Sequence, residues 1–394
     1  MRTTLGFLLT KTMIPTRLIT GCFLIIHTNG GLRMIKLTKD DCIQALYGGL
    51  LLGGGGGGSM KMGLDAVEEA FRHTDAITML DITELKPEQT IVNVSMVGAP
   101  SAKDTCCTVN HWKTVLKNFE NSSGAKISGF TTCENGGVST SNGWVISALT
   151  GIPMVDAPSN GRAHPTGPMG SIGLNLCPDY RTVQAACGGK GDKYVETIAK
   201  GSMNATSHLI RQTAVAAGGL CCVLRNPVTA EYAEEKAAVG AIAQALDIGR
   251  GYLDNKDDVE GYLEFLKKNY DAQVICRGTT CDYTLCMDGG YDVGFVHIKA
   301  DGDDYELTYW NEYMTLEKNG QRAGTFPDLL CTLDAATGLA LSSAEIDNDM
   351  DVIMLKIPKA RLILGAGMYQ KGLLEEVEGI LKKELVPYNE DLFR

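Results

Sequence analysis

The side chains best suited to acid–base chemistry lie on two short segments without a regular apolar repeat. Glu134 lies on the first, and Asp156, Arg162 and His164 lie on the second, residues 155–174. The second segment also contains three prolines and four glycines, and neither the strand repeat nor the helix repeat runs through it. Shaped loops of mixed charge are where proteins commonly place binding and catalytic groups. We therefore predict that both segments belong to a functional site.

These residue types predict the hydrolysis of a small cyclic amide or amidine that carries a carboxylate. Water would add to a ring carbon with Asp156 or His164 as general base, and Glu134 is a third catalytic candidate. Arg162 is predicted to bind the substrate carboxylate, and Asn135 to donate a hydrogen bond to a developing oxyanion.

A purely structural alternative stays open for the same side chains. The second segment would then be an interdomain crossover in which Arg162 pairs with Asp156 and His164 caps a carbonyl group. Glu134 would cap the helix that follows it. Carboxylates and imidazoles also bind divalent metals, but the spacing identifies no particular ion. The cofactor is therefore left unknown, with a divalent metal as one option.

The run Gly53–Gly58 raises the question of a nucleotide or another anion. A dinucleotide fingerprint needs a preceding strand, whereas residues 40–52 have the pattern of a helix, and no Lys-Ser or Lys-Thr follows the run. No nucleotide is expected, although a nucleotide-dependent enzyme remains the third hypothesis. The backbone amides of Gly55, Gly56 and Gly57 are predicted to bind the substrate carboxylate at a helix N-terminus. The alternative is a flexible joint between two helices.

Asn311 and Glu312 interrupt an otherwise alternating strand near residues 305–313. Adjacent polar residues at such a place indicate a bulge, a buried hydrogen-bonded pair or a binding site. We include both among the predicted substrate-binding residues.

The elements that must position these residues change in character along the chain. Helices and strands alternate over residues 34–203, which predicts a three-layer αβα domain. Residues 204–394 are helical at first, then β-rich and barrel-like from about residue 273, and end with a docking helix at 370–384. Residues 1–33 are expected to be a disordered or mis-assigned extension, with a targeting segment as the alternative.

The composition excludes several classes of protein. A net charge of −11 without a basic stripe argues against nucleic-acid binding, and a small-molecule substrate is expected instead. The apolar run Gly21–Ile26 is too short to span a bilayer, so no membrane association is predicted. Thirteen cysteines, an odd number without a Cys-x-x-Cys pair, indicate the reducing cytoplasm.

The order of several short motifs resembles the S-methyl thiohydantoin desulfurase family. The motifs are the Tyr47-Gly-Gly-Leu-Leu-Leu entry into the glycine run, Glu134-Asn-Gly-Gly137, Pro153-Met-Val-Asp-Ala157, Gly161-Arg-Ala163, Arg225-Asn-Pro227, Asn311-Glu312 and Pro327-Asp-Leu-Leu330. The resemblance implies an N-terminal αβα domain, a C-terminal β-barrel-like domain and hydrolytic removal of sulfur from a five-membered thiohydantoin ring. It also implies an association with hydantoinase or oxoprolinase-type proteins.

The chain departs from the family pattern at three places. Pro158 replaces a second aspartate, His164-Pro-Thr166 replaces Phe-Pro-Glu, and Ser139 stands where asparagine is commoner. The resemblance therefore does not determine the substrate or the reaction of this chain. The rival hypothesis is a non-catalytic ligand-binding subunit of a hydantoinase-like complex, and a homo-oligomer is also left open.

Overall fold

Two β-sheets with helices packed on them organise the chain. The computed structural model describes residues 25–27, 33–99, 101–102 and 104–393. The expectation of a disordered or mis-assigned extension falls on residues 1–33, which lie outside the described residues apart from a short strand at 25–27 and Arg33.

The first sheet has nine strands in the spatial order β1-β2-β3-β6-β5-β4-β9-β7-β8. Strands β3, β6, β5 and β4 are mutually parallel, and the remaining pairs are antiparallel. The strands are β1 Ile25–His27, β2 Arg33–Leu37, β3 Ile77–Leu80, β4 Thr90–Gly98, β5 Ile127–Thr132, β6 Met154–Val155, β7 Thr182–Gly188, β8 Val195–Gly201 and β9 Leu220–Thr229. The parallel strands end at the same edge, and the segments with Glu134 and Asp156 leave the sheet there.

Nine α-helices pack on the sheets within the described residues. They are α1 Lys39–Leu52, α2 Met60–Ala70, α3 Val109–Ser123, α4 Trp144–Thr150, α5 Met203–Ala216, α6 Ala230–Lys236, α7 Ala241–Asp254, α8 Val259–Tyr270 and α9 Lys371–Leu381.

Alternating side chains of the central strands show that helices cover both faces of the first sheet. Cys222 and Leu224 pack in a core with Trp112 and Phe119 of α3. The intervening Val223 packs on the opposite face in a core with α5. Because side chains alternate along a strand, the two cores lie on opposite faces. The predicted three-layer αβα arrangement is confirmed.

The second sheet is antiparallel, with the order β14-β13-β12-β11-β10-β17-β15-β16. Its strands are β10 Gln273–Asp288, β11 Tyr291–Ala300, β12 Asp303–Trp310, β13 Glu312–Lys318, β14 Gln321–Thr325, β15 Leu329–Asp334, β16 Ala340–Leu341 and β17 Asp351–Ile357. The predicted β-rich C-terminal part is confirmed, but the sheet is open rather than a closed barrel, because β14 and β16 are its edges.

Helices that precede this sheet in the chain explain why it does not close on itself. Leu329 and Leu355 pack in one core with Leu51 of α1, Ile248 of α7 and Leu266 of α8. A sheet that buries a face against helices has no need to bury it against its own strands. The same packing fixes the two sheets relative to each other.

Two further placements refine the predicted organisation. Leu220–Thr229 lies inside the first sheet, between β4 and β7, although it follows the predicted boundary at 203/204. The C-terminal helix Lys371–Leu381 packs Leu374 and Val377 in a core with Phe326. In the part of the chain that the structure describes, no helix is both long and apolar enough to cross a bilayer.

The packing of α1 on α7 yields a stability prediction. A Cβ added at Gly48 would collide with the Ala245 carbonyl of α7, and one at Gly249 would collide with the Gln44 carbonyl of α1. We expect Gly48→Ala to lower the free energy of unfolding by about 1–3 kcal/mol, because the helices must separate. Urea unfolding measures the change.

The matched control is Gly379→Ala in α9, where an added Cβ would meet nothing within 4 Å. This substitution should stabilise the protein slightly, because alanine favours the helix by about 0.5–1 kcal/mol over glycine. Equal effects of the two substitutions would contradict the proposed helix contact.

Candidate active site

A cavity of about 80 Å³ lies between the carboxyl edge of the first sheet and the β12–β13 turn of the second. The end of β4 and the loops after β5 and β6 contribute to its wall. Its titratable and amide side chains are Cys133, Glu134, Asn142, His164, Arg211, Arg225, Asn311 and Glu312. The cavity therefore combines acidic, basic and nucleophilic groups from both parts of the chain.

Glu134 follows β5 and is held by two hydrogen bonds. Its Oε1 accepts from the Ser139 hydroxyl at 3.0 Å, and its Oε2 accepts from the His164 backbone amide at 3.1 Å. Burial raises the pKa of Glu134 to about 7, although these hydrogen bonds oppose the rise. The carboxyl group is thus oriented, and its proton is easily gained or lost near neutral pH.

His164 lies beside Glu134 on the same wall. Its Nε2 is 3.3 Å from Oε2 of Glu134 and 3.6 Å from Sγ of Cys133. Burial lowers the pKa of His164 to about 3, and the positive charge of Arg225 lowers it further. The imidazole is therefore neutral at physiological pH.

Cys133 and Arg225 belong to the cavity wall although neither is among the site residues predicted from the sequence. Nη2 of Arg225 donates to Sγ of Cys133 at 2.9 Å, and Nε of Arg225 donates to Oδ1 of Asn93 at 3.3 Å. Burial raises the pKa of Cys133 to about 11, while Arg225 opposes the rise. The sequence signal that could have identified Arg225 is its position directly after the apolar run 221–224. An arginine next to a buried strand is expected to be buried itself, and a buried guanidinium needs partners.

Arg162 is fully buried but does not line the cavity. Its Nη1 donates to the carbonyl oxygens of Pro327 at 3.1 Å and Asp328 at 2.6 Å, and its Nε donates to that of Ala163 at 3.1 Å. The guanidinium also lies 4.4 Å from the ring centroid of Phe326. Burial lowers the pKa of Arg162 to about 10. Its observed partners are the turn 326–328 and not Asp156.

Asp156 occupies the start of α7, away from the cavity lining. Its Oδ1 accepts from the Ile242 amide at 2.7 Å and its Oδ2 from the Ala243 amide at 3.0 Å. Burial raises the pKa of Asp156 to about 6, and the two backbone hydrogen bonds oppose the rise. Both carboxylate oxygens thus cap a helix, so the structure does not bring Asp156 and Glu134 together in one cleft.

Asn135 is also engaged in fixed hydrogen bonds. Its Nδ2 donates to the carbonyl oxygens of Gly161 at 3.2 Å and Ala241 at 2.8 Å, and its Oδ1 accepts from Thr140 at 3.1 Å. The side chain ties the loop after β5 to the loop after β6 and to α7. The predicted oxyanion role would require it to leave these partners.

The glycine run packs tightly between the two sheets. A Cβ added at Gly56 would collide with Oε1 of Glu312, and one at Gly55 would lie 2.8 Å from the Tyr313 ring. Gly57 lines the cavity, and its carbonyl accepts from the amides of Val138 and Ser139, each at 3.0 Å. Gly55 and Gly56 are not part of the cavity lining. The substrate-binding role predicted for the run stays a prediction.

Asn311 and Glu312 form the wall opposite Glu134. Asn311 has a φ of 57°, and its side-chain oxygen accepts from the Asp292 amide at 2.9 Å. Glu312 is 2 % exposed, and within the described residues its Oε2 has no hydrogen-bond partner. Burial raises the pKa of Glu312 well above its ordinary value, and the negative charge of Glu134 raises it further. The protonated form of Glu312 is therefore favoured.

Three groups on this wall can donate to a metal ion. The donor atoms of Cys133, Glu134 and His164 all lie within 4.8 Å of one another. Among the described residues, these three form the set of potential metal ligands whose donor atoms lie this close together. Asp156, a predicted catalytic residue, is not in this group.

Comparisons with known proteins cover most of the chain. The family model described as S-Me-THD-like, N-terminal domain, matches residues 40–197, and the one described as S-Me-THD-like, C-terminal domain, matches residues 202–365. A crystal structure of a protein from Chromobacterium violaceum has a TM-score of 0.64 and 19% sequence identity, with 88% of this chain and 96% of that chain covered. This likeness shows the fold. No curated protein matches the chain.

The role of Asp156 can be tested through stability. We expect Asp156→Ala to lower the free energy of unfolding by about 2–3 kcal/mol, because two buried amides of α7 lose their acceptors. The control is Asp258→Ala, since the Asp258 carboxylate caps the exposed start of α8 by accepting from Gly261 at 3.0 Å. That substitution should cost about 0.5–1 kcal/mol.

Urea unfolding of both variants measures the difference. An Asp156→Ala variant with the stability of the unmodified chain and no turnover would refute the capping role. It would support instead the catalytic role predicted from the sequence.

Proposed function

The chain belongs to the S-Me-THD-like family, and we propose that it is a hydrolase acting on a small five-membered (thio)hydantoin-like ring. One observation carries the proposal. Two carboxyl groups with raised pKa values, Glu134 and Glu312, face the same small cavity together with the neutral imidazole of His164. Convergent acid–base groups of shifted pKa in one cavity support a catalytic site.

Glu312 is suited to recognise the ring. A protonated carboxyl group offers one hydrogen-bond donor and one acceptor side by side. The amide and amidine edges of a hydantoin-like ring offer the complementary pair. Since Oε2 of Glu312 has no partner among the described residues, a bound ring would satisfy a buried polar atom.

The opposite wall is suited to activate water. In an S-alkylated thiohydantoin, the oxygen atom of water forms a bond to the ring carbon that carries sulfur, and the carbon–sulfur bond then breaks. One proton of the water ends on the ring nitrogen that was doubly bonded to this carbon, and the other leaves with the sulfur as a thiol. The wall formed by Cys133, Glu134 and His164 assists the attack, while Glu312 holds the ring.

The remaining predicted residues support these groups from outside the cavity. Asp156 and Asn135 act as positioning residues, because they fix the two loops to each other and to α7. Arg162 holds the turn that faces the glycine run. We assign the positive charge that meets an anionic substrate to Arg211 and Arg225, because both line the cavity.

Substitution of Glu134 tests the reaction. We expect Glu134→Gln to reduce turnover at least about 100-fold, because the amide keeps the shape of the side chain but cannot take a proton. The measurement is mass-spectrometric turnover of a panel of thiohydantoins, S-methyl thiohydantoins and hydantoins, with thiol release as a second readout. The control is Glu120→Gln on the exposed face of α3.

Turnover by Glu134→Gln equal to that of the unmodified chain would contradict the assignment. Tight binding of a ring compound without any product, in the unmodified chain, would favour the non-catalytic ligand-binding subunit instead.

Substitution of Glu312 tests ring recognition. Glu312→Leu should raise KM at least about 10-fold, because the ring loses a buried hydrogen-bonding partner worth about 1–3 kcal/mol. Glu312→Gln should lose less, because a neutral amide also offers a donor and an acceptor. The two KM values are compared at equal folding, judged by circular dichroism. A larger loss for glutamine than for leucine would show that Glu312 does not bind as a neutral group.

A further inference from the structure

The ring nitrogen Nε2 of His164 lies close to two other atoms that can bind a metal ion. It is 3.6 Å from Sγ of Cys133 and 3.3 Å from Oε2 of Glu134. One imidazole nitrogen carries either a lone pair or a single N–H. In the neutral imidazole that lone pair, together with the sulfur and the carboxylate oxygen, can point at one shared cation.

Two of the three separations between the donor atoms, those from Nε2 of His164, agree with a tetrahedral zinc site, and the third lies within 4.8 Å. Zinc binds sulfur at about 2.3 Å and nitrogen or oxygen at about 2.0–2.2 Å. In a tetrahedron, such bonds place nitrogen and oxygen about 3.3–3.5 Å apart and sulfur and nitrogen about 3.5–3.7 Å apart. The observed distances from Nε2 are 3.3 Å to oxygen and 3.6 Å to sulfur, so His164 needs no rearrangement toward either neighbour.

Surrounding groups orient two of the three donors, as in many metal sites, whereas Nδ1 of His164 has no hydrogen-bond partner among the described residues. The Ser139 hydroxyl occupies Oε1 of Glu134, and Nη2 of Arg225 donates to Sγ of Cys133. The guanidinium favours the thiolate, which is the form that binds metals. A Cβ at Gly170 would lie 2.7 Å from Nε2 of His164 and 2.8 Å from Sγ of Cys133. Glycine at this position therefore keeps the wall beside the donors free of a side chain.

The donor types select the class of ion. Thiolate, imidazole and carboxylate together suit zinc and related transition metals, whereas magnesium and calcium prefer oxygen ligands alone. A thiolate and a carboxylate also balance the charge of a divalent cation. Because the three residues line the cavity, a fourth coordination position would face the proposed substrate, as in catalytic zinc sites.

We propose that Cys133, Glu134 and His164 bind one divalent transition-metal ion of the zinc class on the wall of the cavity. Binding of the metal stands on the geometry of the three donors. Its role in catalysis rests on the proposed function: with the metal bound, the ion and not Glu134 would activate the attacking water, and Glu134 and His164 would act as its ligands. The loss of turnover expected for Glu134→Gln would then follow from loss of the ion.

Cobalt(II) titration of the metal-free full-length chain tests the site. We expect one equivalent to bind, with the visible bands of tetrahedral cobalt and a near-ultraviolet thiolate-to-cobalt absorption. Cys133→Ser should abolish the near-ultraviolet band, and His164→Ala should weaken cobalt binding at least about 10-fold. Glu134→Gln keeps the size of the side chain and should also weaken cobalt binding. This variant still tests the site if the other two variants fold poorly. The control is Cys331→Ala, another buried cysteine outside the cavity lining.

The outcomes separate the metal site from the proposed reaction. No spectral change, or a thiolate band that survives in Cys133→Ser, would overturn the metal site. Full turnover of a thiohydantoin by the metal-free chain would overturn the catalytic role of the ion and leave the hydrolase intact. One bound equivalent with the expected variant pattern, but no turnover of any ring compound, would support the metal site and refute the hydrolase.

Discussion

The close approach of the glycine run to both sheets is the constraint on which the site depends. Gly57 lies so near the turn after β5 that a Cβ on it would be 2.6 Å from Cα of Gly136. Its carbonyl accepts two amides of that turn, and Glu134 and Ser139 are thereby fixed. Gly56 lies in the same way against Glu312. A side chain at either position would push apart the two walls that enclose the cavity.

Burial of charge shapes the chemistry of this enclosed space. Loss of solvent raises the pKa values of Cys133, Glu134 and Glu312 and lowers that of His164. All four changes favour neutral groups, because a low dielectric penalises each isolated charge. Arg225 opposes this trend from strand β9, where it contacts Cys133. Burial therefore favours the neutral forms of these four groups, while Arg211 and Arg225 bring two guanidinium groups to the same cavity.

The sequence predicted the local features well and the distant partners poorly. The alternating apolar pattern and the composition predicted the strand ends before Glu134 and before the loop that carries His164. Both residues line the cavity. The sequence shows that Asp156 and Arg162 are charged residues on a loop, but it does not show their partners. Those partners, the start of α7 and the turn 326–328, lie far away in the chain. The contact between Cys133 and Arg225 spans 92 positions. Likewise, alternation predicts strands but not whether helices or other strands cover the resulting sheet.

Two of the three departures from the family pattern, Ser139 and His164-Pro-Thr166, line the cavity, whereas Pro158 does not. Ser139 donates to Glu134, and His164 contacts both Glu134 and Cys133. The other side of the cavity keeps the Asn311-Glu312 pair that the resemblance rests on. Under the proposed function, the side that would hold the ring therefore matches the family, and the departures at 139 and 164 fall where water or the leaving group would be activated.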